Sequence, residues 1–116
     1  MPYQHKSLAA GRWAQMPLPE QMANIGSEVS RALNWQRKQN EKYCLKSLHR
    51  ALELITLTID NVTVTSHIKE LTRLREALLD YFYGDNEFGS SDMLWERYFN
   101  HFNFVVRNKK TATHHG

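Results

Sequence analysis

All three prolines fall before residue 20, at Pro2, Pro17 and Pro19, and between Pro19 and Gly84 the only glycine is Gly26. Proline and glycine are the residues that most readily interrupt a helix. The interval between them is therefore free to be helical almost throughout. Its apolar residues recur at steps of three and four, the spacing of one helix face. A first helix is expected to open at Pro19, where the missing N–H does no harm, and to bury Met22, Ile25, Val29 and Leu33. Gln36, Arg37, Asn40 and Glu41 would continue that face but are polar, so a turn is expected at residues 38–40. A second helix follows with Leu45, Leu48, Leu52, Ile55 and Ile59 as its stripe. Its end, "ITLTIDNVTVT", also alternates in the manner of a β-hairpin. A lone hairpin is marginal, and a helix followed by a β-branched loop is the preferred reading.

The third helix is expected to be capped by Thr65 or Ser66, to bury Ile68, Leu71, Leu74 or Arg75, Leu78 and Phe82, and to end at Gly84 as a capping glycine. The fourth is expected to start at Ser90 or Ser91 and to bury Leu94 or Trp95, Tyr98, Phe102 and Val105. Four amphipathic helices with short connections predict an all-α, up-and-down four-helix bundle. It would span residues 17–110, after an N-terminal arm (1–16) and before a flexible tail (111–116). Leu8, Trp13 and Met16 of the arm would dock on the bundle or on a neighbouring subunit.

A chain of 116 residues, 41% hydrophobic and 23% charged, fits one globular domain and not a disordered chain. Cys44 is the only cysteine, which excludes an intramolecular disulfide and fits a reducing compartment. The start lacks the apolar stretch of a secretory signal, and no apolar run approaches the roughly 18 residues of a membrane span. A cytoplasmic location without membrane contact is expected.

The formal charge is +3, distributed unevenly. Residues 1–58 carry eight Lys/Arg and four Asp/Glu, net +4, and residues 59–116 carry seven and eight, net −1. Lys42, Lys46 and Arg50 recur every four residues, with Arg37 and Lys38 at the preceding turn. Such a stripe could track a phosphate backbone by counterion release, although Glu41 and Glu53 dilute it and a plain solvated face has the same pattern.

Nine of the thirteen aromatic residues lie from Tyr81 onward. Tyr98 and Phe102 take core spacing on the last helix, whereas Trp95, Phe99 and Phe104 spread the apolar surface beyond one face. A helix of that kind wants a second surface to bury against. On the first helix, Ala23, Gly26 and Ser30 form a small-residue face; glycine there costs about 1 kcal/mol relative to alanine, for which close packing would compensate. Trp13, Gly26, Trp95, Phe99 and Phe104 are thus candidate interface residues, for a homodimer or higher oligomer or for another protein.

Metal and cofactor chemistry finds little support. "DNEFGSSDMLWE" places acids at its first, third and twelfth positions, as a calcium-binding EF-hand loop does. Its glycine stands fifth and Ser90 sixth, so the required turn is misplaced; Asp92 and Glu96 suit a helix start instead. His49 with Glu53, and His67 with Glu70, share helix faces without the Glu-x-x-His order of di-metal bundles. No Cys/His cluster suits zinc. Cys44 reads as a small core residue. Neither a metal nor a cofactor is expected.

The segment "RNKKTATH" carries Arg107, Asn108 and His114. It resembles the Arg-x4–6-His signature of the HEPN family, small helical-bundle proteins that include metal-independent RNases and nucleotide-binding partners of nucleotidyltransferases. The resemblance implies that arginine, the polar residue after it and histidine meet an RNA phosphate, with Arg107 stabilising developing charge and His114 handling protons. Here the chain ends where the family motif leads into another helix. Arg97 and His101 are one residue too close for the same signature. The stretches "NIGSEVSRALNW", "RALEL" and "RLREAL" resemble a group of small, uncharacterised all-helical bacterial proteins, a likeness that implies no activity. The expected function is a non-catalytic oligomerisation or protein-interaction bundle. The alternative is a HEPN-like RNA- or nucleotide-binding protein or RNase.

Overall fold

The computed structural model describes residues 11–115, with side chains as far as residue 108. Leu8 and most of the expected arm, the side chain of His114 and that of the rest of the expected tail lie outside the described residues. Among the described residues five helices follow one another: α1 (Trp13–Gln15), α2 (Leu18–Arg37), α3 (Glu41–Asn61), α4 (Thr65–Phe82) and α5 (Asp92–His115). No strand occurs among the described residues, and no helix there is long and apolar enough to cross a membrane.

The rival hairpin at the end of the second helix does not form. α3 runs through Asp60 to Asn61, and its threonines are absorbed by the helix itself. The Thr56 and Thr58 hydroxyls donate to the Leu52 and Leu54 carbonyls at 3.0 and 2.7 Å, the bond to a carbonyl one turn back that hydroxyl residues make inside helices. The turn at 38–40 is tighter than spacing alone suggests. Asn40 N–H donates to Trp35 O and Gln39 N–H to Gln36 O, the paired bonds of a Schellman ending. Gln39 takes the left-handed position with φ +60°. Asn40 then caps α3, its Oδ1 accepting from Tyr43 N–H at 3.1 Å.

Two helix starts differ from each other. Ser91 Oγ accepts from Leu94 N–H at 3.2 Å and so caps α5. At α4, Val64 occupies the N-cap without any side-chain bond, leaving Thr65 and Ser66 inside the first turn. Gly84 is not left-handed; its N–H closes α4 by donating to the Leu79 and Asp80 carbonyls.

α2 is the central element, packed extensively on α3 and α5, while α4 and α1 both pack on α3. The core joins Trp13, Met22, Ile25, Val29, Leu33, Leu48, Ile55, Leu71, Leu78, Trp95 and Phe99. On α3 the buried face is rotated from the expected stripe: Leu54 and Leu57 are buried, whereas Leu45, Leu52 and Ile59 are half-buried. Trp13 causes part of this by covering what would be a solvent face. Its indole N–H donates to Thr58 Oγ1 at 3.1 Å, and its carbonyl accepts from buried Gln21 at 2.7 Å. On α5 the core edge is Trp95 and Phe99, and Leu94 is exposed. The reason lies on α2: a Cβ at Gly26 would stand 2.8 Å from the Cβ, Cγ and Cδ1 of Phe99, so glycine admits that side chain and sets the rotation of α5.

Candidate functional site

The turn from α2 to α3 brings basic residues and aromatic rings onto one corner. The Trp35 and Tyr43 ring centroids are 5.0 Å apart. The Lys38 ammonium lies 5.2 Å from the Trp35 centroid and that of Lys46 lies 5.7 Å from the Tyr43 centroid, both within cation–π range. Lys42 is exposed one turn before Lys46. On the other flank of the same α3 face, His49 Nε2 and the Tyr83 hydroxyl are 2.8 Å apart, and the two rings stack with centroids at 6.4 Å. A cleft of about 280 Å3 runs beside them, lined by Gln36, Gln39, Asn40, Cys44, Phe82 and Tyr83 among others. Burial first, and the Glu41 charge second, push the Cys44 thiol up, away from the thiolate a nucleophile needs.

The two arginines of the predicted basic stripe are engaged elsewhere. Arg37 Nε meets Asp92 at 3.0 Å and its Nη2 meets Glu96 at 2.6 Å, tying the end of α2 to the start of α5. Arg50 Nη1 lies 4.0 Å from the buried Glu28 carboxylate, which Arg31 also meets at 2.9 Å. The corner therefore assembles Lys38, Lys42 and Lys46, while Arg37 and Arg50 face carboxylates. Trp35, Tyr43 and Tyr83 join the lysines without having been selected from the sequence, as does His49, singled out there only beside Glu53 as a ligand type. The available signal was two aromatics, Trp35 and Tyr43, bracketing a polar turn.

Of the five candidate interface residues, four are internal. Trp13, Gly26, Trp95 and Phe99 are buried within the chain, and Gly26 and Phe99 meet each other. Phe104 is 59% exposed, as are Met93 at 66% and Leu94 at 50%. Two grooves flank α5. One of about 310 Å3 against α2 has Trp95 and Phe99 in its wall and Ser30, Arg31 and Asn103 at its rim. The other, of about 360 Å3, has Met22, His67, Tyr98, His101 and Phe102 around it. Between α4 and α5, Tyr98 donates to Glu70 at 2.8 Å; burial, then Glu70, raise its pKa. The Tyr81 hydroxyl donates to Asp92. Burial and that carboxylate push its pKa up to about 12.

Residues 85–96 do not converge on a cation site. The Asp80 carboxylate accepts from Glu87 and Phe88 N–H at 2.7 and 3.0 Å, Asn86 exchanges two bonds with the Ser90 backbone, and Asp92 and Glu96 hold Arg37. Among the described residues no three His, Cys, Asp or Glu side chains cluster to hold a metal ion. Arg97 turns back toward Met93 Sδ at 3.9 Å, and His101 packs edge-on against Phe102. Arg107 and Asn108 are exposed on α5. With α5 helical to His115, positions 107 and 114 fall on one side of the helix, about 10 Å apart along its axis. No family model, curated protein or solved structure matches the chain.

Proposed function

We propose that the four long helices form an up-and-down four-helix bundle, and that this bundle is a non-catalytic cytoplasmic interaction module that pairs with a second copy of itself through the outward face of α5. The observation that carries the pairing is the exposure of Met93 and Phe104, 66% and 59%, on a helix whose other side is already packed on α2. Eleven residues separate them, three helical turns, which returns nearly to the same face about 16 Å along the axis. A two-fold axis near the middle of that span would set Phe104 of each copy against Met93 and Leu94 of the other, the self-complementary pattern of a symmetric dimer. Burying those groups gains about 25 cal/mol per Å2 of apolar surface.

Sedimentation at micromolar concentration tests the reading. Wild type is expected to sediment as a dimer, and Phe104→Asp as a monomer with an unchanged helical signal, since Phe104 lies outside the core. A wild-type species of 13.7 kDa would overturn it.

A further inference from the structure

We propose that the α2–α3 corner is a binding site for single-stranded nucleic acid, in which Lys38, Lys42 and Lys46 take phosphates and the rings of Tyr43 and Tyr83 take bases. Sequence-tolerant single-strand sites combine a cationic track with aromatic rings on which bases stack, and both are present on one surface here. Lys42 and Lys46 stand one turn apart along α3, so their Cα atoms lie about 6 Å apart along the helix axis. That is close to the spacing of successive phosphates in a strand whose bases are partly unstacked. Lys38 extends the track across the turn from α2.

The aromatic rings flank this track on both sides. Tyr43 is 44% exposed and Tyr83 53%, and neither belongs to the core cluster. Tyr43 is backed by Trp35 at 5.0 Å, and Tyr83 is held by His49 through the 2.8 Å contact. Each ring is thus oriented before anything binds. Beside Tyr83, Gln36, Gln39 and Asn40 line the cleft together with Glu41, the Asn40 oxygen being already engaged as the cap of α3. Amides present both donors and acceptors, which base edges use together, whereas an ionised carboxylate or phosphate head accepts only and uses the N–H groups alone. That difference favours nucleic acid over other polyanions.

The number of phosphates engaged is readable from salt dependence. Arg37 and Arg50 already face carboxylates, leaving the three lysines as the phosphate-binding set. For single strands the slope of log affinity against log salt is about −0.7 per phosphate, so the expected slope is about −2. The probe is a short fluorescein-labelled oligothymidylate, followed by anisotropy from about 50 to 200 mM salt. Lys42→Ala is expected to bring the slope to about −1.4. Tyr43→Leu is expected to weaken binding about tenfold with the slope unchanged, as loss of one base stack would. Lys42 is solvent-exposed, so its variant folds as the parent does, and the helical signal checks Tyr43→Leu. No binding at the lowest salt, parent-like binding by both variants, or equal competition by polyglutamate or by anionic lipid vesicles would each overturn the assignment.

Discussion

Gly26 and Gln39 occupy backbone positions whose requirements are opposite to the residue types found there. Gly26 sits in mid-helix, where alanine is intrinsically better by about 1 kcal/mol. The Phe99 side chain fills the place of its Cβ at 2.8 Å, and Phe99 is itself buried in the core, so an added methyl group would have to displace it. Overpacking of this kind typically costs about 1–3 kcal/mol and outweighs the helix propensity. Gln39 holds φ +60° at the end of α2, where a side chain costs about 1–2 kcal/mol and glycine nothing. Chemical denaturation of the two single variants is expected to give opposite signs. Gly26→Ala loses up to about 2 kcal/mol net of its helix propensity, and Gln39→Gly gains about 0.5–1 kcal/mol once the entropy of the added glycine is allowed for.

At the scale of elements, α5 is tied to its neighbours by polar contacts as much as by its apolar edge. Tyr98 donates to Glu70 on α4, Tyr81 on α4 donates to Asp92, and Arg37 on α2 bridges Asp92 and Glu96. Both phenols are raised in the folded chain, Tyr81 from 10.0 to about 12 and Tyr98 likewise upward. A raised folded pKa means that the native state holds the proton more tightly. The stability these phenols contribute is therefore fully present below about pH 10 and is lost as pH rises above it, for Tyr81 through about 12. Melting midpoints followed from pH 9 to 12 are expected to fall steeply above 10, and less steeply in the Tyr81→Phe, Tyr98→Phe double variant. The four long helices were legible in the sequence, because apolar spacing and proline placement report them directly, whereas α1 falls within the segment expected as an arm. The rotation of each helix was less so. Tyr98 and Phe102 held the better stripe on spacing and are half-buried against the core, yet Phe99 enters it directly because Gly26, some seventy residues earlier, leaves space for its side chain. The lysines of the basic corner were legible for the same local reason. Their pairing with Trp35, Tyr43 and Tyr83 depends on a Schellman turn made by a glutamine and on the end of α4 arriving beside α3, neither of which a one-dimensional pattern encodes.

The whole molecule is organised around α2, which packs on both α3 and α5, and α1 reinforces the α2–α3 pair from outside. Although only three residues long, α1 places Trp13 among the most deeply buried side chains. The indole donates to Thr58 on α3 and the carbonyl accepts from Gln21 on α2, so one residue links both partners of the central seam. Removing a buried tryptophan to alanine costs about 3–5 kcal/mol. Domains of this size hold about 5–15 kcal/mol in total, so Trp13→Ala is expected to forfeit a fifth or more of it. Trp13→Phe keeps most of the apolar volume and loses the N–H bond. Thr58 still donates to Leu54 O at 2.7 Å, leaving no unsatisfied donor, and the expected cost falls to about 1 kcal/mol. Because the core cluster draws on α1, α2, α3, α4 and α5 alike, urea unfolding followed by circular dichroism and by tryptophan fluorescence is expected to give one coincident transition in wild type and both variants. If the wild-type fluorescence transition fell at lower urea than the circular dichroism transition, and Trp13→Phe, which removes the reporter on α1, brought the two together, α1 would be a strap that opens independently of the helices beneath it.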